Sequence, residues 1–402
     1  MKEGWKYSTI GDLCDKMNGL WKGKIGPFVN VGVIRNANFT KSFTLTFDNI
    51  EYLDVEAKQY KTRKLQKGDL IVEKSGGSEK QPVGRTVLFD REEGEYSFSN
   101  FTSVLRIKDR AVISPEFLYK YILFVYLRGD TRKMQKATTG IHNIEFDKFL
   151  SIPVPKISLS EQQSIVDYLD SAFAKIDAMK ANAEKALNEA KALFQASLKE
   201  MLEPKEGWEE KKLSDIGELK NGMNFNKNES GYNVHILGVG DFGNLFQIKD
   251  TDSLQTISLN SKPSEEYILK NEDIVFVRSN GNKNLVGRCV LIYVGNEPCS
   301  FSGFCIRLRK TTNEIDACYL THFLKTEDAR KKLVGNGANI SNLNQKVLNE
   351  LVVSYPPLSE QQSTVATLDS LKSKVDRLQE NFDNISQECD ALKQAILRQV
   401  FD

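Results

Sequence analysis

The stretch LSEQQS stands at residues 159–164 and again at 358–363. Each copy follows prolines (Pro153 and Pro155; Pro356 and Pro357) and leads into a long charged segment with periodic apolar residues. Ser160 and Ser359 read as helix N-caps. Gln163 and Gln362, three positions on, complete a capping box of the S-x-x-Q type. Over 359–401 apolar residues fall at Leu368, Leu371, Val375, Leu378, Phe382, Ile385, Cys389, Leu392 and Ile396, in steps of three and four. That is a heptad seam. An offset of 199 carries it onto Leu169, Ala172, Ile176, Met179, Ala183, Ala186, Ala190, Leu193 and Ser197, the same period made alanine-rich. One bulky seam and one small seam suit two helices packed closely against each other. A helix of about 42 residues is roughly 60 Å long at ~1.5 Å per residue, more than a linker needs. It reads as a spacer.

Working outward, other landmarks recur at nearly the same distance. KEGW stands at 2–5 and 205–208, VGR at 83–85 and 286–288, and SFS followed by a Phe at 97–101 and 300–304. GDLIVEKSGG (68–77) is similar to EDIVFVRSNG (272–281), and GIHNIEFDKFL (140–150) corresponds to NISNLNQKVLN (339–349). A repeat of about 200 residues is a whole domain with an appendage, not one unit of a solenoid. Short β-type runs (DLIVEKS, RTVLF, DIVFVRS, RCVLIYV), punctuated by Gly and Asn, share each first part with a helix-like stretch, PEFLYKYILFVYLR or ACYLTHFLKTEDARKKL. The expected class is α+β: two tandem-duplicated mixed α/β domains, 1–155 and 204–357, separated by two long antiparallel coiled-coil helices, 156–203 and 358–402.

Composition narrows the function. The 402 residues allow two or three domains, and 27 % charged with 40 % hydrophobic residues is ordinary for a soluble protein. No run suits a signal peptide or a membrane span, so a cytoplasmic protein is expected. Net charge is +1, but segment 1–155 carries a balance of +6, 156–203 of −2, 204–357 of zero and 358–402 of −3. Positive charge therefore sits away from the helices, where a local basic face can meet a nucleic acid. The six cysteines (Cys14, Cys289, Cys299, Cys305, Cys318, Cys389) form no C-x-x-C pair and the three histidines are scattered, so reduced structural thiols are expected and a metal site is not.

Catalytic motifs fail one by one. GVGDFG (238–243) fits G-x-G-x-x-G and follows VHIL, but a dinucleotide site needs a helix opening at the third glycine. The chain runs on as NLFQIKDTDSLQTISLN, strand and loop, and the matching NVGVIRNANF of the first repeat lacks the glycines. YPPL (355–358) is the nearest approach to the [D/N/S]-P-P-[Y/F/W] motif of adenine methyltransferases, and it lacks the polar first residue. No P-loop, H-E-x-x-H or nucleophile elbow occurs, and Glu92 and Glu93 lie in ordinary charged loop composition.

The loops after the central strands are more informative. VEKSGGSEKQPVGRT (72–86) and VRSNGNKNLVGRC (277–289) mix glycines, cations and short amide or hydroxyl side chains, as do KATTGIHN (136–143) and VGNGANISN (334–342). Such loops can approach a phosphate backbone closely, while Asn, Gln and Arg read base edges in the major groove. The candidates are Lys74, Ser75, Ser78, Lys80, Gln81, Arg85, Thr138, Thr139 and Asn143 in the first half. In the second they are Arg278, Ser279, Asn280, Asn282, Lys283, Asn284, Arg288, Asn339 and Asn342. Alone, each loop reads as an ordinary turn; recurrence in both halves puts DNA contact on an equal footing.

The layout resembles the specificity subunit of type I restriction–modification systems. The resemblance rests on the two P-x-(1–5)-L-S-E-Q-Q helix starts and the W-x-x-x-x-[I/L]-x-[D/E] opening of each half (Trp5–Asp12; Trp208–Asp215). It rests also on the GDLIVEKSGG/EDIVFVRSNG strands and the N-I or N-L before each linker, and it covers essentially the whole chain. It implies two target-recognition domains on double-stranded DNA, each reading half of a bipartite sequence, with the helices setting the spacing. It also implies two docked modification (methyltransferase) subunits carrying S-adenosylmethionine, to which two restriction subunits using ATP and Mg can be added. The chain itself would hold no cofactor, do no chemistry, and work in a prokaryotic cytoplasm. Divergence of the two halves away from scaffold positions predicts an asymmetric target, and the outer helix faces, alanine-rich in the first and acidic in both, are candidates for methyltransferase docking. The competing reading is a non-enzymatic coiled-coil scaffold joining two protein-binding modules; a fused, autonomous enzyme is disfavoured by the missing methyltransferase motifs.

Overall fold

The computed structural model describes residues 4–402 except 22, 24, 80, 139–140, 227 and 335–341, and leaves the side chains of Thr138 and Lys283 undescribed. It divides into two compact units, Met1–Ala183 with Phe382–Asp402, and Glu184–Asn381. The division cuts both long helices, Leu159–Leu202 and Leu358–Phe401, so each begins in one unit and ends in the other.

In the first unit the strands Cys14–Asn18, Thr102–Ile107, Leu70–Glu73 and Thr86–Leu88 form one antiparallel sheet in that order. A second sheet orders Glu51–Glu56, Phe28–Ile34 and Tyr96–Phe98, the last pair parallel. The four residues Leu70–Glu73 are all buried, as a central strand covered on both faces should be. The helix Pro115–Arg128 packs on this sheet through Phe117, Leu118 and Ile122. It starts at Ser114, whose side chain accepts from Phe117 N at 3.1 Å, and stops at Gly129, left-handed at φ 90°.

The second unit repeats the plan. Gly217–Asn221, Cys305–Lys310, Ile274–Val277, Cys289–Ile292 and Gln247–Ile248 make one sheet; Thr256–Leu259, Tyr232–Leu237 and Cys299–Phe301 make the other. The register Leu70↔Leu105 recurs as Ile274↔Leu308. The shared Asp of GDL and EDI is structural: Asp69 and Asp273, each 1 % exposed, take bidentate bonds from Arg106 (2.8 and 2.7 Å) and Arg309 (2.8 and 2.6 Å). The glycine of VGR is structural too. Gly84 and Gly287 hold φ of +95° and +78°, closing each loop with a 2.9 Å bond back to Glu73 O or Val277 O. A closer approach occurs at Gly19 and Gly222, where an added Cβ would sit 1.9 and 2.0 Å from the carbonyl oxygens of Ser99 and Ser302.

LSEQQS works differently from the expected cap. Ser160 and Ser359 lie inside their helices. The first helix is capped by Ser158, in a reciprocal box with Glu161: Glu161 N donates to Ser158 Oγ at 3.3 Å, and Ser158 N to Glu161 Oε2 at 3.0 Å. Pro357 replaces that serine in the second helix, where Glu360 N and Gln361 N turn back to Pro357 O. Gln163 only reaches Asp167 on the surface. The residue that matters is the first glutamine. Gln162 and Gln361, 1 % and 0 % exposed, each make three bonds. Gln162 donates to Val112 O and Ile157 O (both 2.9 Å) and accepts from Ser114 N (2.8 Å). Gln361 donates to Glu314 O (2.9 Å) and Pro356 O (2.8 Å) and accepts from Asp316 N (2.8 Å). Ser114 and Asp316 cap the domain helices Pro115–Arg128 and Ala317–Lys325, and a cap residue's own N–H has no partner within its helix. Each glutamine thus rivets a long helix to the start of a domain helix.

Within each unit the start of one long helix lies antiparallel to the end of the other. In the first unit Cys389 Sγ approaches Ile176 O at 3.7 Å and Lys393 pairs with Asp177 at 2.5 Å; in the second Lys191 donates to Gln379 at 2.8 Å. Phe401 packs edge-on against Phe117 and Tyr121 of its unit's domain helix, with centroids 5.8 and 5.3 Å away. The expected first seam needs correction. Leu169 and Ile176 are buried, but Met179 and Leu193 are 58 % and 60 % exposed. Phe173, Leu187 and Leu198 are buried instead, and in the second helix Leu392 faces solvent. Near each domain the helix must cover the domain as well as its partner, which turns the buried stripe by about one position. Among the described residues no helix is long and apolar enough to cross a membrane. All six cysteines are free thiols, five of them buried, and burial pushes Cys14, Cys299 and Cys305 up to about 12.

Candidate nucleic-acid interface

Each unit brings its two candidate loops together. In the first, Gln135–Thr138 and Ile141–Ile144 form a hairpin that pairs with Ser75–Gly77, setting Asn143 opposite Ser75. Ile144 N bonds Lys74 O at 2.9 Å. In the second, Leu343 N bonds Arg278 O at 2.7 Å and Ser279 bridges Asn342. Loops some sixty residues apart in sequence thus share one surface, at equivalent places in the two repeats. Lys80, Thr139 and Asn339 lie outside the described residues.

The candidates divide by what already holds them. Arg85 is a correction. Its guanidinium takes Glu73 (2 % exposed) at 2.7 and 3.2 Å and leans on the Phe39 ring, so it neutralises a buried carboxylate and does not reach outward. Ser75 is buried, its carbonyl taken by Asn36 at 2.6 Å. Ser78 and Gln81 close a turn on each other through Ser78 N–Gln81 O (2.8 Å) and Gln81 N–Ser78 Oγ (3.1 Å). Lys74 remains half-buried, its ammonium pushed down by burial and by Lys16 nearby. In the second unit Asn280 accepts from Asn282 N (2.7 Å) and Asn282 from Asn284 N (3.1 Å), Asx turns that leave both side-chain NH2 groups outside those bonds. Arg278 steadies the loop through Gly303 O at 3.2 Å, and Arg288 donates to Gly243 O at 3.0 Å.

One pair of residues was missed. Phe101 and Phe304, 50 % and 62 % exposed, stand beside these loops in both units. Their carbonyls are tied identically, accepting from Lys74 N (2.9 Å) and Ser75 N (3.1 Å) in one, and from Arg278 N (2.8 Å) and Ser279 N (3.2 Å) in the other. The backbone is fixed and the ring is presented. The signal was there in the recurring SFS-x-Phe, which reads as a repeat landmark until the exposure of its ring is seen. GVGDFG forms no nucleotide loop: Val239–Asp241 is a single 3-10 turn, with Gly238 N bonded to Asp241 Oδ2 at 2.8 Å. Among the described residues no cluster of His, Cys, Asp and Glu could hold a metal.

The repeat that carries these two loop surfaces, one per unit, matches a known family. Residues 2–189 and 205–385 each match the family described as type I restriction modification DNA specificity domain. The chain belongs to this family. It is 28 % identical over 430 residues to the StySPI type I restriction enzyme specificity subunit of Salmonella potsdam, and 25 % over 431 residues to the EcoKI specificity subunit of Escherichia coli. Both alignments cover all of this chain and 89 % of the relative. Its fold is that of a chain solved in a study of assembly and conformational transition of the type I R-M system (TM-score 0.76, 17 % identity, 100 % and 98 % covered). The HsdS subunit from Thermoanaerobacter tengcongensis shares the fold as well (TM-score 0.58, 17 % identity, 100 % and 97 % covered). As a specificity subunit with two recognition domains, the protein is a recognition component and not an enzyme.

Proposed function

We propose that the two units read the two halves of a bipartite, asymmetric double-stranded DNA target through the paired loops and their phenylalanines. The observation that carries this is the equivalence of scaffold with divergence of side chains. Ser75–Asn143 and Ser279–Asn342 are built alike, while Lys74-Ser-Gly-Gly of the first repeat is replaced by Arg278-Ser-Asn-Gly in the second. Two similar readers with different contact sets select two different half-sites. Half-sites on one face of B-DNA lie about a helical turn, ~34 Å, apart, and a helix of 44 residues, about 66 Å at ~1.5 Å per residue, is long enough to fix such a gap. The exposed helix faces, including Tyr168, Met179 and Leu193, would dock two modification subunits, which bring S-adenosylmethionine; two restriction subunits bring ATP and Mg when present. The complex would act in the cytoplasm of a prokaryotic cell. Selection of random duplexes by the complex of this chain with its modification subunit tests the reading. Enrichment of a two-part motif with a fixed gap is expected; enrichment of no motif, or of one contiguous motif, overturns it.

A further inference from the structure

We propose that the second unit carries an oxyanion site, a cavity walled by Arg288, Lys325 and Arg330 that takes a phosphate group. The cavity measures about 230 Å³. At ~30 Å³ per water that leaves room for one tetrahedral phosphate. Among the described residues its cations are held in place by neutral acceptors. Arg288 Nη1 donates to Gly243 O (3.0 Å) and Asn244 Oδ1 (3.3 Å), Lys325 Nζ to Leu245 O (2.8 Å), and Arg330 Nη2 to Asn284 O (3.1 Å). With five donors on each arginine and three on lysine, most remain for a ligand, and Arg330 Nε is buried without a hydrogen-bond partner.

No carboxylate lines the cavity among the described residues, and Glu327, close by in sequence, is engaged with Lys331 at 2.7 Å. The first repeat shows what is missing. There Arg85, the counterpart of Arg288 in VGR, has the buried Glu73 as counter-ion. The aligned position in the second repeat is Val277. The internal carboxylate is gone while Lys325 and Arg330 have joined the arginine. Burial, together with the charges of Arg288 and Arg330, pushes the Lys325 ammonium down; Arg330 is pushed down by burial and Arg288, with only the Cys289 thiol drawing the other way in each case. A walled cavity with three uncompensated cations focuses potential and is completed by an anion from outside.

The source of the phosphate follows from position. Arg288 closes the loop 277–289, and Arg330 holds that loop at Asn284. A phosphodiester of DNA lying across the loop would enter the cavity. This part rests on the function proposed above; the anion chemistry does not. It also accounts for how a recognition segment of zero net charge, 204–357, can grip a polyanion locally.

The test uses the full chain and two readouts. The melting temperature is followed against inorganic phosphate at constant ionic strength, for the wild type, Lys325→Gln, Arg330→Gln and the charge-preserving Lys325→Arg. DNA affinity of the complex with its modification subunit is followed against salt. Phosphate should raise the melting temperature of the wild type and of Lys325→Arg but of neither glutamine variant. Each glutamine variant should flatten the slope of log affinity against log salt by about 0.9, with equal loss on target and non-target duplexes. Phosphate stabilisation with an unchanged slope upholds the site and makes a free phosphate or nucleotide its ligand. No response to phosphate and an unchanged slope overturn the proposal. A complex that binds no DNA defeats the DNA reading and leaves the phosphate arm to decide the site.

Discussion

Replacing Gln361 by leucine removes the rivet at the start of the second long helix while keeping its volume. Three partners are stranded. Pro356 O is buried and cannot gain water, at a cost of about 1–3 kcal/mol; Asp316 N and Glu314 O lie nearer the surface, where partial hydration reduces each loss to roughly 0.5–1 kcal/mol. The leucine methyls recover little, since the pocket is shaped for an amide. The sum is about 3 kcal/mol. For a unit of about 200 residues this lowers the melting temperature by roughly 6–12 °C at ~2–4 °C per kcal/mol. Thermal unfolding of the full chain, followed by near-UV circular dichroism, gives the value. Gln362→Leu, one residue along and exposed, is the control and should change little. Gln162→Leu should match Gln361→Leu, because the three bonds are the same. A Gln361→Leu protein melting within 2 °C of the wild type would refute the rivet.

Ser158→Ala should cost about 1 kcal/mol through loss of the cap, and Ser359→Ala close to nothing, as read by urea unfolding. His322, on the domain helix of the second unit, is 4 % exposed and lies 3.5 Å from Asp369 of the long helix; burial outweighs that carboxylate and lowers its pKa to about 4. The unfolded chain therefore takes the proton first, near ~6.5, so stability is intact above that pH and is lost, up to about 3 kcal/mol, as pH falls towards 4. His322→Gln should remove that slope from a pH series of unfolding curves. Phe101→Ala and Phe304→Ala should each weaken binding to the target about tenfold with little change on unrelated DNA, each relaxing a different half-site in a duplex selection.

The duplication, the α+β class and the two long helices were legible because each is written in period and spacing, which survive divergence. What LSEQQS does was not legible in the same way. Both serines and both glutamines satisfy a capping pattern, and only the fold shows that the serine two residues earlier, Ser158, lies outside the helix and that Gln162 and Gln361 point into the domain. The helix seam was read as if the partner helix were the sole neighbour; Phe173 and Leu198 are buried because there the seam also packs on a domain core. The loops were found by composition, yet composition cannot tell an arginine aimed at solvent from Arg85, whose partner Glu73 sits twelve residues away. Arg288 looks the same in sequence and is different in space, because Val277 offers it no charge. The chemistry of a loop is set by what its residues have already been given to hold.

The claim that the two repeats read two half-sites is tested most directly by mapping N6-methyladenine across a methylation-free host genome. The chain is expressed with its modification subunit, and the modification subunit alone serves as control. The expected result is a two-part motif with a fixed unspecified gap, methylated only when this chain is present. Methylation that is absent, or indifferent to the chain, from a complex shown to be soluble and assembled would contradict it.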